Sequence, residues 1–171
     1  TLMMTMTTYV ILAGGKSSRM RQDKSLMDRG TNRIYQICKS MVGSRIITLC
    51  GDESRIDLFE GEVWPDPIDL SGALEIIKWC LNNIEDKIQL IPCDAFNLEK
   101  EAIIWLNNFE NATPVDCLGN RQPLLSIISN KDLINFSASN IREFFHDIPS
   151  VINEELALQF NNFNTEEDLS N

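Results

Sequence analysis

The residues best suited to chemistry follow a short apolar run near the start of the chain. Two adjacent glycines, Gly14 and Gly15, come directly after residues 9–13. Because glycine has no Cβ, the backbone there can turn sharply, and exposed N–H groups can bind phosphate oxygens. Residues 16–33 then carry six cations and two anions, whereas the whole chain has a net charge of −10. The cations are Lys16, Arg19, Arg21, Lys24, Arg29 and Arg33. This concentration of positive charge predicts a phosphate-binding loop, with a solvated basic loop as the alternative.

Two common nucleotide-binding motifs do not account for this loop. The run Gly15-Lys16-Ser17 resembles the end of a Walker A motif, but Val10 stands where that motif requires its first glycine. The spaced glycines of the dinucleotide-binding G-x-G-x-x-G motif are absent as well. The sequence therefore argues against a P-loop nucleoside triphosphatase and leaves the pattern L-A-G-G-x-x-x-R-M-x-x-D-K.

Two aspartates follow the predicted ends of later strands. Asp94 comes after the apolar stretch 88–91, and Asp66 lies between two prolines. A carboxylate at a ligand-binding edge suits Mg²⁺, which prefers hard oxygen ligands and retains several waters. For each aspartate, a surface turn residue is the alternative interpretation.

Alternating elements would position these side chains. Apolar runs and helical periodicity predict strands near 9–13, 46–49, 63–64, 88–91, 115–118, 124–128 and 151, a helical turn near 55–59, and helices over 32–43, 72–84, 98–109 and parts of 130–145. Such alternation predicts an α/β fold with a doubly wound, mainly parallel sheet. Ligands of such sheets bind beyond the carboxyl ends of the strands. We expect one domain over residues 1–171, with 1–8 as a flexible lead-in.

Composition limits the function classes. The 171 residues are 43% hydrophobic and 23% charged, as in globular domains. The acidic balance argues against nucleic-acid binding through phosphate contacts, and no apolar run is long enough for a bilayer. The opening residues 1–6 lack the basic and apolar regions of a signal peptide. We therefore expect a cytoplasmic protein that engages neither nucleic acid nor membrane.

Cysteine and histidine usage argues against disulfides and zinc. The five cysteines form no C-x-x-C pair and have mostly apolar neighbours, which favours buried thiols in a reducing compartment. They are Cys38, Cys50, Cys80, Cys93 and Cys117. The single histidine, His146, is expected near the C-terminus of a helix rather than in a catalytic site.

Several segments, in order along the chain, resemble the molybdenum cofactor guanylyltransferases, the MobA-like family of the sugar- and cofactor-nucleotidyltransferase superfamily. The likeness extends from about residue 9 to 169. The matching segments are Leu12-Ala13-Gly14-Gly15 with Arg19-Met20 and Asp23-Lys24, then Val63–Asp66, Ile91–Asp94 and Phe160–Leu169. Residues 121–124 also resemble a substrate-side segment of that family.

The resemblance implies a Rossmann-like nucleotidyltransferase fold, Mg²⁺ as cofactor, and transfer of GMP from GTP to molybdopterin or a related phosphate acceptor with release of pyrophosphate. Molybdenum-cofactor pathway proteins would be its partners. Lys24 would contact the triphosphate, Arg19 would balance charge on the departing pyrophosphate, and Asp94 would complete the catalytic set. Asp94 and Asn164 would hold the metal, although Asn164 also suits a helix cap. The implied nucleotide-binding residues are Leu12, Ala13, Gly14, Gly15, Lys24, Asp66, Gly72 and Asp94.

Three departures from the family pattern bear on base selectivity. Arg21 replaces a glycine, and Ile68-Asp69 replaces a glycine and a proline. No asparagine occurs at residues 49–51, where the family often places one near the base. Asp69 would also bring negative charge towards a triphosphate. These departures leave two alternatives: a catalytically weak relative that binds a nucleotide or a protein partner, and a transferase using another NTP or a sugar-phosphate acceptor.

Overall fold

A seven-stranded sheet forms the centre of the computed structural model, which describes residues 6–14, 26–41 and 43–161. The strands are β1 (Thr7–Leu12), β2 (Arg45–Gly51), β3 (Glu62–Pro65), β4 (Lys87–Pro92), β5 (Asn111–Pro114), β6 (Ile127–Ile128) and β7 (Ser150–Val151). Their order is β3-β2-β1-β4-β6-β5-β7. Only the pairings of β6 with β4 and β5 are antiparallel among the described strands. The predicted mainly parallel sheet is therefore confirmed.

Helices cover both faces of this sheet. They are α1 (Thr31–Lys39), α2 (Ala73–Asn82), α3 (Lys100–Leu106) and α4 (Ile141–Phe144). Successive residues of a strand point to opposite faces. Accordingly, Val10 of β1 packs in one core cluster with α2 and α4, whereas Tyr9 and Ile11 pack in another with α1 and α3. The sheet is thus doubly wound, as predicted.

The second half of the chain departs from the predicted elements. The strand expected at 115–118 is instead β5, which ends at Pro114, and residues 116–119 form a turn. Buried Asp116 explains the difference, because its Oδ1 accepts the N–H groups of Leu118 and Asn120 at 2.9 Å each. The strand expected at 124–128 shrinks to β6 because Pro123 begins a 3₁₀ turn, Pro123–Leu125.

The helices are also shorter than their periodicity predicts. Helix α1 stops at Lys39 and α3 at Leu106. The region 130–145 holds a 3₁₀ turn, Lys131–Leu133, and the short α4. Periodicity overestimates length here because apolar side chains in the flanking turns continue the stripe that the helix begins.

The carboxyl ends of β1 to β4 lie in register at one edge of the sheet. Leu12 is paired with Leu49 and Pro92, and Gly51 with Pro65. Hydrogen bonds continue past the strand ends, from Ala13 N to the Leu49 oxygen at 2.9 Å, from Cys93 N to the Leu12 oxygen at 3.2 Å, and from Asp66 N to the Gly51 oxygen at 2.7 Å. We call the residues that follow these strands, 13–14, 51–52, 66 and 93–94, the carboxyl edge.

The thiols differ in exposure. Cys38, Cys50 and Cys80 are buried, Cys93 is half-buried and Cys117 is exposed, and none is in a disulfide. Burial raises the pKa of both Cys38 and Cys80 to about 12, so these thiols stay protonated at neutral pH. The expectation of buried thiols is therefore wrong for Cys117.

Two further sequence expectations can be compared with the described residues. His146 is exposed just after α4, and its Nδ1 lies 3.2 Å from Oδ1 of Asp147. It thus lies near a helix C-terminus, as expected. Among the described helices, none has the length and apolarity needed to cross a bilayer.

Candidate active site

The chain leaves β1 through a close backbone contact. Leu12 ends the strand, Ala13 is buried and Gly14 is exposed. A Cβ built on Gly14 would lie 2.9 Å from both Cα and N of Gly51, the last residue of β2. Any side chain at residue 14 would therefore push the two strand ends apart. The predicted nucleotide loop thus starts from backbone that requires glycine.

The Arg55 side chain binds the backbone at the same two strand ends. It lies in a 3₁₀ helix, Glu53–Leu58, that Asp52 caps by accepting the Ser54 N–H. Its Nε donates to the Cys50 oxygen at 2.8 Å, and its Nη2 donates to the Ala13 oxygen at 3.1 Å. One guanidinium therefore connects the ends of β1 and β2. The sequence analysis assigned no role to Arg55, because nothing local marks an arginine whose acceptor is 42 residues away.

The carboxyl edge is rich in carboxylates. Asp66 is half-buried, and its side chain has no hydrogen-bond or ion-pair partner among the described residues. Burial raises the pKa of Asp66, and the negative charge of Asp52 raises it further. Asp94 is half-buried in the turn directly after β4. A polyphosphate placed at this edge would be repelled unless cations lay between the two.

Asp94 fits a role in holding a divalent cation. Magnesium is commonly bound through one or two carboxylates together with substrate phosphates and water. Within the three described ranges, no group of three His, Cys, Asp or Glu side chains could hold a metal by itself. A single carboxylate at this edge would suit that mode of binding if phosphates of a substrate bound beside it. Asn164, the second predicted ligand, lies outside the described residues.

The connection from Asp66 to α2 carries the residues that depart from the family pattern. Ile68 is 98% exposed, and Asp69 is exposed beside it. Gly72 is the N-cap of α2 with φ +88°, a conformation that favours glycine. No described atom lies within 4 Å of a Cβ built there. The backbone conformation, rather than a close contact, thus explains the glycine.

Two cations of the basic stretch 16–33 form hydrogen bonds with the protein backbone. The guanidinium groups of Arg29 and Arg33 donate to backbone oxygens of residues 95–98. Both of these guanidinium groups therefore have partners in the segment that follows Asp94. The remaining loop residues singled out from sequence lie outside the described residues: Gly15, Lys16, Arg19, Arg21 and Lys24.

Arg121, in the segment that resembles a substrate-side motif, also binds protein. Its Nη1 donates to the Ile148 oxygen at 3.0 Å and to Oγ of Ser150, and its Nη2 donates to the Phe145 oxygen at 2.9 Å. Burial lowers the pKa of this arginine. The side chain thus ties the β5–β6 connection to the chain after α4.

Comparison with known proteins agrees with this geometry. The family model of the MobA-like NTP transferase domain matches residues 9–133. A curated relative from Aquifex aeolicus (strain VF5), named "Probable molybdenum cofactor guanylyltransferase", is 25% identical over 178 residues, covering 95% of this chain and 88% of the relative.

Solved structures share the fold. The crystal structure of the protein Aq1419 from Aquifex aeolicus VF5 matches with a TM-score of 0.71 and 21% identity, over 94% of this chain and 95% of that one. The 4-diphosphocytidyl-2C-methyl-D-erythritol synthase of Anaerococcus prevotii DSM 20548 matches with a TM-score of 0.57 and 11% identity. The match covers 97% of this chain and 95% of that one. The family match spans most of the chain and includes residues 9–12 of β1, Asp66 and Asp94. The chain belongs to the MobA-like NTP transferase domain family and is a nucleotidyltransferase.

Proposed function

We propose that this protein transfers GMP from GTP to molybdopterin or a related phosphate acceptor, with Mg²⁺ as cofactor and pyrophosphate as the second product. An acceptor phosphate oxygen forms a bond to the α-phosphorus of GTP, and the bond from that phosphorus to the bridging oxygen of the β-phosphate breaks. The curated relative's name supports the choice of base and acceptor at 25% identity.

The observation that carries the proposal is the meeting of separate motifs at the carboxyl edge. Gly14 begins the phosphate loop in backbone contact with Gly51, and Asp66 and Asp94 follow the strands on either side of that pair. Strands β3, β2, β1 and β4 are neighbours in that order. Residues far apart in sequence therefore surround the position where open α/β sheets bind ligands.

The chain itself would align and hold the reactants rather than exchange bonds with them. Backbone N–H groups from Gly14 onwards would bind phosphates, and Lys24 and Arg19 would balance charge on the triphosphate and the departing pyrophosphate. Asp94, with Asn164, would hold Mg²⁺, which supplies charge neutralisation between the acidic edge and the phosphates. Asp66 would contact the nucleotide on the β3 side.

One observation favours a second candidate, a transferase that uses another NTP or a sugar-phosphate acceptor. Cys50 is buried and Gly51 has no side chain, so residues 49–51 offer the base no exposed polar side chain. The exposed Ile68 and Asp69 leave the neighbouring connection without the family's glycine and proline. A catalytically weak relative that binds a nucleotide or a protein partner is the remaining alternative.

The test is pyrophosphate release by the purified full chain with Mg²⁺, molybdopterin and each of the four NTPs in turn. We expect release with GTP and acceptor together. Asp94→Asn keeps the side-chain shape and removes the charge, so activity should fall by about a hundredfold or more, as for lost metal ligation or charge stabilisation. Asp132→Asn, an exposed aspartate in the turn Lys131–Leu133, is the matched control.

Each outcome distinguishes the candidates. Release with a different NTP or only with a sugar phosphate would replace the guanylyl proposal by the second candidate. No release with any combination would favour the catalytically weak relative. Full Mg²⁺-dependent activity in Asp94→Asn would remove Asp94 from the mechanism.

A further inference from the structure

Arg33 donates hydrogen bonds to three backbone oxygens of the segment that follows Asp94. Its Nη1 donates to the Leu98 oxygen at 2.7 Å, and its Nη2 lies 3.2 Å from the oxygens of both Ala95 and Phe96. The Arg33 side chain is only 16% exposed. One largely buried guanidinium therefore satisfies three carbonyl groups within four residues, which fixes the path of the chain there.

Arg29, which lies just before α1, binds the same segment. Its Nε donates to the Phe96 oxygen at 2.7 Å, and its Nη2 lies 2.5 Å from Oε1 of Glu99. The same carboxylate oxygen is 3.4 Å from Nη1 of Arg33. Arg29, Arg33 and Glu99 thus form one charged group, which we call the clamp.

The clamp also reaches the chain that leads to the C-terminal motif. The backbone N–H of Glu99 donates to Oε1 of Gln159 at 2.9 Å. Leu98 packs in the same buried cluster as Phe160. Residues 95–99 therefore contact both the start of α1 and the approach to the segment in which Asn164 lies.

Arg33 lies in the first turn of α1 and Arg29 just before the helix, and these positions need a reason other than helix stability. The first turn of α1 has no acidic residue, and no side chain caps its N-terminus. Positive charge near a helix N-terminus opposes the helix dipole. Arg29 and Arg33 are unfavourable there for the helix alone, so their contacts with residues 95–99 account for them.

We propose that the clamp fixes the Asp94 turn relative to the exit of the nucleotide loop, and that Arg33 is a positioning residue for metal-dependent transfer. The kinetic part of this inference rests on the proposed function. The loop of residues 14–25 passes into α1 through Arg29, and Asp94 immediately precedes the clamped segment. Arg33 would thereby act on the Asp94 turn through the backbone oxygens of residues 95–98, rather than through the carboxylate itself.

The experiment compares Arg33→Met and Arg33→Lys with Arg45→Met in the full chain. Arg45 is a matched control because it lies at the amino end of β2, away from the carboxyl edge, in a partly exposed pair with Glu62. Hydrogen exchange of peptides covering 94–99 is measured without ligand, and pyrophosphate release is measured against Mg²⁺ and NTP concentration.

We expect faster exchange over 94–99 in Arg33→Met and wild-type exchange in Arg45→Met. The half-saturating Mg²⁺ concentration should rise about 10–100-fold, as when the outer partner of a metal ligand is lost. The KM for NTP at saturating Mg²⁺ should stay near the wild-type value, and Arg33→Lys should recover part of the loss. A merely structural arginine would lower stability without this selective change in Mg²⁺ requirement.

The inference fails if Arg33→Met matches Arg45→Met in both exchange and Mg²⁺ requirement. If Arg33→Met does not fold, Arg33→Lys and Arg29→Met decide by the same measurements. If the wild-type protein releases no pyrophosphate with any NTP, the proposed function fails by itself. The exchange data then decide whether the clamp orders the Asp94 turn. Exchange at the wild-type rate in Arg33→Met would show that it does not.

Discussion

Arg55 shows how a single side chain can set the entrance to a nucleotide loop. Its guanidinium connects the Cys50 and Ala13 oxygens, and it stacks 5.7 Å from the ring centre of Phe59. Ala13 immediately precedes the glycine that touches Gly51. The backbone at the start of the predicted nucleotide loop is therefore fixed in part by a side chain from the 3₁₀ helix that follows β2.

Arg55→Met should loosen that entrance. Removing a donor from buried carbonyl groups costs about 1–3 kcal/mol, so urea unfolding should show a loss of that order. The KM for NTP should rise as well, and Arg55→Lys should restore part of both. Arg142→Met, on the exposed side of α4, is the control. Unchanged stability and KM in Arg55→Met would contradict this role.

Burial and the negative charge of Asp52 disfavour the charged form of the Asp66 side chain. Its folded-state pKa is raised, first by burial and then by Asp52, above the ordinary value of about 3.9. A carboxyl whose pKa is raised in the folded state destabilises the fold above that pKa. At low pH the carboxyl is protonated in both the folded and the unfolded state, so this destabilisation disappears. A costly carboxylate at a ligand edge is consistent with a binding role.

Asp66→Asn should therefore raise the Tm at pH 7, and the gain should disappear as the pH falls towards about 3.9. Asp57→Asn, at an exposed aspartate in the neighbouring 3₁₀ helix, is the control. Calorimetry over this pH range measures both variants. A lower Tm for Asp66→Asn at pH 7 would show that the carboxylate is stabilised by contacts instead.

At the scale of elements, the connection between β3 and α2 holds one of the departures from the family pattern, Ile68-Asp69. Ile68 is nearly fully exposed, so its side chain stabilises nothing in the free protein. Asp69 brings an exposed negative charge to the connection that begins at Asp66. Both features weigh against nucleotide binding while leaving the fold intact.

Restoring the family residues should tighten nucleotide binding. We expect Ile68→Gly with Asp69→Pro to lower the dissociation constant for GTP with Mg²⁺ by at least about tenfold, or 1.4 kcal/mol. The reason is that a side chain and a like charge are removed beside the phosphates. Isothermal titration measures the change, and Leu118→Gly, at an exposed residue of the β5–β6 connection, is the control. Unchanged or weaker GTP binding would place this connection away from the nucleotide.

Elements whose signal is local were predictable from sequence, and those set by distant contacts were not. Strand β1 contains a continuous apolar run before Gly14, and β4 is a largely apolar segment that ends at Pro92, so their ends and the residues after them follow from the pattern. The sequence predicts a strand at 115–118 because hydropathy alone does not show that Asp116 accepts backbone hydrogen bonds, which make a turn there. The sequence groups Arg33 with the loop cations because its acceptor, the Leu98 oxygen, is 65 residues away along the chain.

At the scale of the whole molecule, charge distribution decides how a nucleotide can bind. The chain carries −10, yet residues 16–33 carry six of its fifteen cations. Two of these, Arg29 and Arg33, are used by the clamp. The carboxyl edge adds carboxylates from Asp52, Asp66 and Asp94. An NTP approaching this edge without a divalent cation would therefore meet net repulsion beyond the basic loop.

NTP binding should consequently stabilise the protein only when Mg²⁺ is present. A ligand at about 100 times its dissociation constant adds about 2.7 kcal/mol to the free energy of unfolding. At about 2–4 °C per kcal/mol for a chain of this size, the Tm should rise by about 5–10 °C. Differential scanning calorimetry with each NTP, with and without Mg²⁺, measures the shift, and Mg²⁺ alone is the control. Asp94→Asn should lose the Mg²⁺-dependent part because the carboxylate that holds the cation is gone. An equal shift without Mg²⁺ would show that the basic loop overcomes the acidic edge unaided, and no shift with any NTP would contradict nucleotide binding at this edge.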